Sequence, residues 1–174
     1  MPDDLLIKPL LRQEIPLLEQ MNENWPYGRP LDLHRQRYAM QQAGDGVYLF
    51  AWHGPKPVGH VFLRWDSAPS YAPSRSERTA HISDLFVIPD YWSRGIGSRL
   101  MDTLEALAAE RGYRQVGLSV AIDNTRARSI YTKRGYVNAG LGEHPARWTY
   151  IDPHGEEQVR EEVLIYLVKQ LPRM

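Results

Sequence analysis

The 174-residue chain has no cysteine. That excludes disulfides, thiolate-ligated metals and an acyl-enzyme carried on a cysteine. It has no net charge either: 21 Lys and Arg balance 21 Asp and Glu, and hydrophobic residues make up 43%. A disordered polyelectrolyte and a polyanion-binding surface are both unexpected, so nucleic acid is not an expected partner. Long apolar runs are absent, and Met1-Pro2-Asp3-Asp4 lacks a basic segment leading into an apolar one. The expectation is a cytoplasmic chain without a membrane partner. The six histidines are scattered with no H-x-x-x-H spacing, so no metal is expected. With neither an internal repeat nor a linker, residues 1–174 read as a single domain.

What is present is organised around His81 to Leu100, HISDLFVIPDYWSRGIGSRL. Leu85-Phe86-Val87-Ile88 is a β-favouring run, and Pro89 ends the ladder by removing a donor. Polar turn residues follow, then Gly95 and Gly97. Leu100, Met101, Leu104, Leu107 and Ala108 then recur at helical spacing until Gly112. A glycine-rich turn entering a helix leaves amide N–H groups unpaired at the positive end of the helix dipole, which suits phosphate oxygens. The lysine-bearing G-x-x-x-x-G-K-[ST] loop occurs nowhere, and G-x-G-x-x-G fails because Ser98, Arg99 and Leu100 follow Gly97.

Along the chain, Leu5-Leu6-Ile7 reads as a strand, Ile15 to about Asn24 as a helix, and Leu31 to Ala43 as a second helix. The breaker-rich NWPYGRP lies between the helices. Trp25 to Tyr38 is the first place to look for substrate-facing residues, unless it is an ordinary helix–helix connection with Trp25 as a core anchor. Val47–His53 and Val58–Trp65 form a hairpin signal about Gly54-Pro55-Lys56-Pro57. Asp66 to Arg78 is a polar loop, either a lip over a site or an idle surface loop, and it leads into a strand at Thr79. Gln115 to Ile122 is a strand with Val116, Leu118, Val120 and Ile122 on one face. Asp123-Asn124-Thr125 has capping chemistry for a helix carrying Ala127, Ile130, Tyr131 and Arg134 on one face, and Gly135 ends it. Val137 to Gly142 is left unassigned. Arg147–Ile151 and Val163–Val168 read as a final strand pair, the second central in a sheet.

Two segments carry a family resemblance. Val87-x-Pro89 followed by Trp92-Ser93-Arg94-Gly95-Ile96-Gly97 resembles the [QR]-x-x-G-x-[GA] acyl-CoA signature of the GNAT N-acetyltransferase superfamily. Asn124-Thr125-Arg126-Ala127, Ile130-Tyr131 and Gly135-Tyr136 resemble its N-x-x-A-x-x-x-Y-x-x-x-G-[FY] segment, in the family's order. Trp92 departs from the pattern, standing where the family usually has Gln or Arg. The resemblance implies an α/β (α+β type) fold: a mixed, mostly antiparallel sheet of about seven strands with about four helices. It further implies that strands Thr79–Ile88 and Gln115–Ile122 run parallel and splay to admit the acyl-pantetheine arm of acetyl-CoA. The cofactor-binding residues it implies are Leu85, Phe86 and Val87 at the strand edge and Trp92, Ser93, Arg94, Gly95, Ile96, Gly97 and Ser98 in the cradle. Asn124, Ala127 and Tyr131 complete them. Arg94 is the expected phosphate contact; Arg99 is the next candidate, but like Arg126, Arg128, Lys133 and Arg134 it reads by default as part of a solvated helix face.

Attack of an amine on a thioester needs a neutral amine and a proton for the departing thiolate. Tyr131 sits where the family has its general acid, and a phenol with a pKa near about 10 keeps a proton to give. His81 is the first candidate base, since imidazole titrates near about 6.5. On that basis kcat/KM is expected to climb through an apparent pKa between about 6 and 8. Asp84 is the rival; strict alternation turns it to the other face unless a bulge intervenes. Ordered water is the third option. The function expected is acetyl transfer from acetyl-CoA to a primary amine in a ternary complex, the acceptor being a small molecule or a peptide. A non-catalytic acyl-CoA-binding module and a protein or peptide N-acetyltransferase are the alternatives, and a homodimer is left open.

Overall fold

The computed structural model describes residues 4–22, 31–65, 78–151 and 154–172. These residues fall into two compact units, each assembled from three stretches of chain. Trp25, with the rest of 23–30, and the loop 66–77 lie outside the described residues.

The first unit comprises 1–63, 84–104 and 149–159. It begins with β1 (Leu5–Pro9), α1 (Ile15–Asn22) and α2 (Leu31–Ala43), then β2 (Gly46–His53) and most of β3 (Lys56–Arg64). β1 pairs antiparallel with β2, Leu5 opposite His53 and Pro9 opposite Leu49. The proline is tolerated because it ends an edge strand, where no further ladder donor is required. Apolar side chains of these elements meet in one cluster: Leu10, Leu18, Tyr48, Phe50, Trp52 and Phe62, with Ile15, Tyr38 and Met40 packed against it. β4 (Thr79–Val87) follows β3 in the strand order. Its last residues, from Asp84 on, belong to this unit together with the first nine residues of α3 (Ile96–Glu110).

The second unit comprises 64–83, 105–148 and 160–174. The first half of β4 pairs in parallel with β5 (Gln115–Ala121), from Thr79 opposite Gln115 to Ile82 opposite Leu118. β5 pairs antiparallel with β8 (Glu157–Gln170), which pairs on its other edge with β6 (Val137–Asn138); β7 (His144–Ile151) also pairs with β8. α4 (Thr125–Lys133) connects β5 to β6. Glu105 anchors this unit with its carboxylate: Tyr136 Oη donates to it at 2.9 Å, Lys169 Nζ at 2.6 Å and Arg134 Nη2 at 3.3 Å. A carboxylate this buried is tolerable only because cations and a hydroxyl replace its lost water.

The expected mixed, mostly antiparallel sheet with four helices is present. The described residues hold eight strands rather than seven, because the unassigned stretch after Tyr136 contributes the two-residue β6. β5 is buried on both faces rather than one, and β4 and β8 pair with its two edges. On α4 the inward positions are Ala127, Tyr131 and Arg134 at i, i+4 and i+7, whereas Ile130 is 44% exposed. Ile130, at i+3, lies about 60° round the helix from Ala127, at the margin of that face, and is exposed there.

Candidate active site

The turn between β4 and α3 is built by backbone handedness. Pro89 to Tyr91 form a single 3-10 turn, with the N–H of Trp92 donating to Pro89 O. Ser93 and Gly95 then take positive φ, 60° and 76°. That region suits glycine and costs an L-residue energy. The chain thereby reverses within three residues and enters α3. The helix's first hydrogen bond runs from Arg99 N to Gly95 O at 3.0 Å. The amides of Ile96, Gly97 and Ser98 therefore lie ahead of the helical ladder, at the positive end of the dipole. A Cβ built on Gly95 meets nothing within 4 Å, and one on Gly97 meets only Val87 Cγ2 at 3.8 Å. The space beside these two glycines is open, as close approach of an acyl-CoA pyrophosphate to the turn would require.

Trp92, the departure from the family pattern, has a structural task of its own. Its indole N–H donates to Val87 O at 2.6 Å, tying the cradle to the last residue of β4. Sequence alone gave no sign of this bond. Replacing Trp92 with Phe keeps an aromatic ring and removes the donor. We expect the acetyl-CoA Kd of Trp92→Phe to rise about 5-fold, equivalent to one neutral hydrogen bond of about 1 kcal/mol. Titration calorimetry checks this, and an unchanged Kd would show that the tie does not shape the cradle. Next to it, Tyr91 is surrounded by basic groups: Arg94 Cζ lies 4.8 Å and Lys56 Nζ 5.6 Å from its ring centroid, and its hydroxyl is 2.9 Å from His53 Nδ1. Arg99, by contrast, reaches the carbonyl of Leu5 at 3.5 Å.

Asp84 interrupts β4. Its φ of 59° is left-handed, so strict alternation fails at this residue. Its side chain is 4% exposed and ion-paired with Arg37 of α2, whose guanidinium also lies 5.3 Å from the Tyr48 and Phe62 rings. His60 Nδ1 lies 3.9 Å from the same carboxylate oxygen.

In the second unit, His81 stands on β4 with Nδ1 3.4 Å from Tyr166 Oη. Burial lowers the imidazole to about 4, and the guanidinium of Arg64 adds to the shift. His81 is therefore neutral throughout the neutral range, and the expectation of an ascending limb between 6 and 8 from this group is corrected. Tyr131 is half-buried on α4, and burial raises its phenol above the ordinary value. Its ring meets Tyr136 edge-on at 5.7 Å, and among the described residues its hydroxyl has no hydrogen-bond partner. Asn124 caps α4, its Oδ1 accepting from Ala127 N at 3.1 Å, which leaves its amide nitrogen for other contacts. Of the basic residues on this helix, Arg128 donates to Ile122 O at 2.8 Å and Arg134 serves Glu105. Among the described residues no group of three or more His, Asp or Glu is arranged to hold a metal, and no helix is long and apolar enough to cross a membrane.

The fold has counterparts among known proteins. Residues 16–136 match the Acetyltransferase (GNAT) family. An uncharacterized N-acetyltransferase of Methanocaldococcus jannaschii is 32% identical over 102 residues, covering 58% of this chain and 42% of that protein. The chain thus spans under half the length of that relative. Among solved structures, the ribosomal-protein-S18-alanine N-acetyltransferase of Escherichia coli superposes with a TM-score of 0.65 over 98% of this chain and 95% of that one, at 18% identity. A spermidine N-acetyltransferase of Vibrio cholerae, in complex with CoA and spermine, gives 0.66 over 96% and 95%, at 15% identity. A motif pair in family order and a family match over residues 16–136 lead to one conclusion: the chain belongs to the GNAT acetyltransferase family.

Proposed function

We propose that the protein transfers the acetyl group of acetyl-CoA to a primary amine by direct attack, with Tyr131 as general acid and His81 as general base, in the cytoplasm. The observation that carries this reading is the cradle, where Ser93 and Gly95 turn the chain so that three amides precede the α3 ladder over open space. Arg94, beside it, adds a cation for the phosphates. As the amine nitrogen bonds to the thioester carbon it gains positive charge and its N–H becomes acidic. His81, neutral at working pH, takes that proton while the C–S bond breaks and Tyr131 gives its proton to the sulfur. The two side chains then regain their starting states by exchange with solvent. Asp84 is the rival candidate, and its carboxylate is already held in an ion pair with Arg37. The acceptor is proposed only as an amine: solved relatives of nearly equal similarity act on a ribosomal protein's alanine and on spermidine.

The pH dependence tests the base. Because His81 titrates near 4, its basic form is constant from pH 6 to 9, and the rise of kcat/KM over that range belongs to the amine acceptor. His81→Ala should lower the whole profile by a constant factor and leave its shape intact. Asp84→Asn should leave the catalytic profile with its wild-type shape and height in folded protein. A flattened Asp84→Asn profile alongside an unchanged His81→Ala profile would transfer the role to Asp84. Stability carries a second signature. The unfolded chain binds a proton at His81 below about 6.5, whereas the folded chain does so only near 4. This group's contribution is therefore complete above about 6.5 and is lost as pH falls towards 4. Urea midpoints compared between wild type and His81→Gln should converge across that window.

A further inference from the structure

Gly117 lies in the interior of β5, where glycine weakens a strand and often marks a close approach by another group. The register explains it. His81 of β4 is opposite Gly117, which is opposite Val168 of β8, and Tyr166 is two residues from Val168 on the same face. Tyr166 leans diagonally across β5 into the space that a side chain at 117 would fill: a Cβ there would lie 2.5 Å from Tyr166 Cζ. By crossing that strand the phenol reaches His81. The two rings are nearly parallel, with an interplanar angle of 11° and centroids 5.8 Å apart, and Tyr166 Oη lies 3.4 Å from Nδ1. Tyr166 is 1% exposed, so its ring cannot swing away into solvent.

We propose that Tyr166 is a positioning residue for His81, its hydroxyl accepting from Nδ1–H and its ring fixing the imidazole plane, so that Nε2 holds the lone pair that takes the proton. This rests on His81 being the base. A hydroxyl oxygen can accept at a lone pair while sending its own proton to another acceptor, so the arrangement leaves Tyr166 a neutral phenol. A partner bound to one imidazole nitrogen determines which nitrogen is basic. At 3.4 Å the contact is longer than the usual N–H···O bond of about 2.7–3.2 Å, so it selects an orientation more than it contributes binding energy. Gly117 is part of the device, because any side chain there would separate the pair.

The test is Tyr166→Phe, which keeps the ring and its packing. Long-range proton–nitrogen correlation spectra of the His81 ring should show the Nδ1–H form in wild type and a shift towards Nε2–H in the variant. Its kcat should fall roughly 10-fold, a part of the about 10²–10⁴ that a positioned base supplies, with the KM for acetyl-CoA unchanged. Gly117→Ala, which displaces the phenol, should reproduce both changes; Tyr166→Phe stands alone if that variant fails to fold. A Tyr166→Phe enzyme with the wild-type tautomer and wild-type kcat overturns the proposal while His81→Ala is still impaired. Full activity in His81→Ala overturns the base assignment itself, and the positioning role with it.

Discussion

Gly97→Val should raise the acetyl-CoA Kd by about 100-fold while leaving the protein folded. Losing one or two charge-assisted amide–phosphate bonds, at roughly 1.5–3 kcal/mol each, has that effect. The two cradle glycines differ as test sites. Gly95 has φ 76°, so a β-branched residue there strains the turn and confuses folding with binding. Gly97 lies inside α3, where Val has a higher helix propensity than Gly, and the nearest side-chain atom to its Cβ is 3.8 Å away. An isopropyl group at 97 meets little of the fold and is expected to hinder a ligand's approach to the turn. Calorimetry on Gly97→Val, with thermal melting to show the fold is intact, checks the phosphate-binding reading. An unchanged Kd in the folded variant contradicts it.

Tyr131→Phe should reduce kcat between about 10-fold and 10³-fold with little change in acetyl-CoA affinity. The hydroxyl has no partner among the described residues, so its removal breaks no internal hydrogen bond. The ring keeps its edge contact with Tyr136. Since burial raises the phenol above its ordinary pKa of about 10, it stays protonated from pH 6 to 9, and the loss should be uniform over that range. Steady-state rates of thiol release give kcat, and calorimetry gives affinity. A Tyr131→Phe enzyme with wild-type kcat removes Tyr131 from the acid's role.

The cradle was readable in the sequence because backbone conformation makes it: a proline stop, a glycine turn and helical periodicity are all local signals. The Asn124 cap and the α2 boundaries were legible for the same reason. Properties that depend on strand pairing were not. His81 looked like an ordinary imidazole because nothing near it in sequence announces burial, Arg64 or a phenol 85 positions away. Arg37 and Asp84 are likewise separated by 47 positions, so their ion pair has no local signature. The bond from Trp92 to Val87 spans only five residues, yet the family pattern masked it by drawing attention to the side chain that Trp92 replaces. An isolated glycine between Val116 and Leu118, inside a clear strand, is the local sign of a close approach from a neighbouring strand.

Catalysis itself is tested most directly by following thiol release from acetyl-CoA in the presence of polyamines, aminoglycosides, amino acids and peptides, for wild type and Tyr131→Phe at equal cofactor occupancy. The account predicts amine-dependent thiol release by wild type with at least one acceptor, equimolar formation of the N-acetyl product, and a fall of at least about 10-fold in the variant. A wild-type protein that binds acetyl-CoA and releases no thiol with any amine would contradict it and identify the chain as an acyl-CoA-binding module.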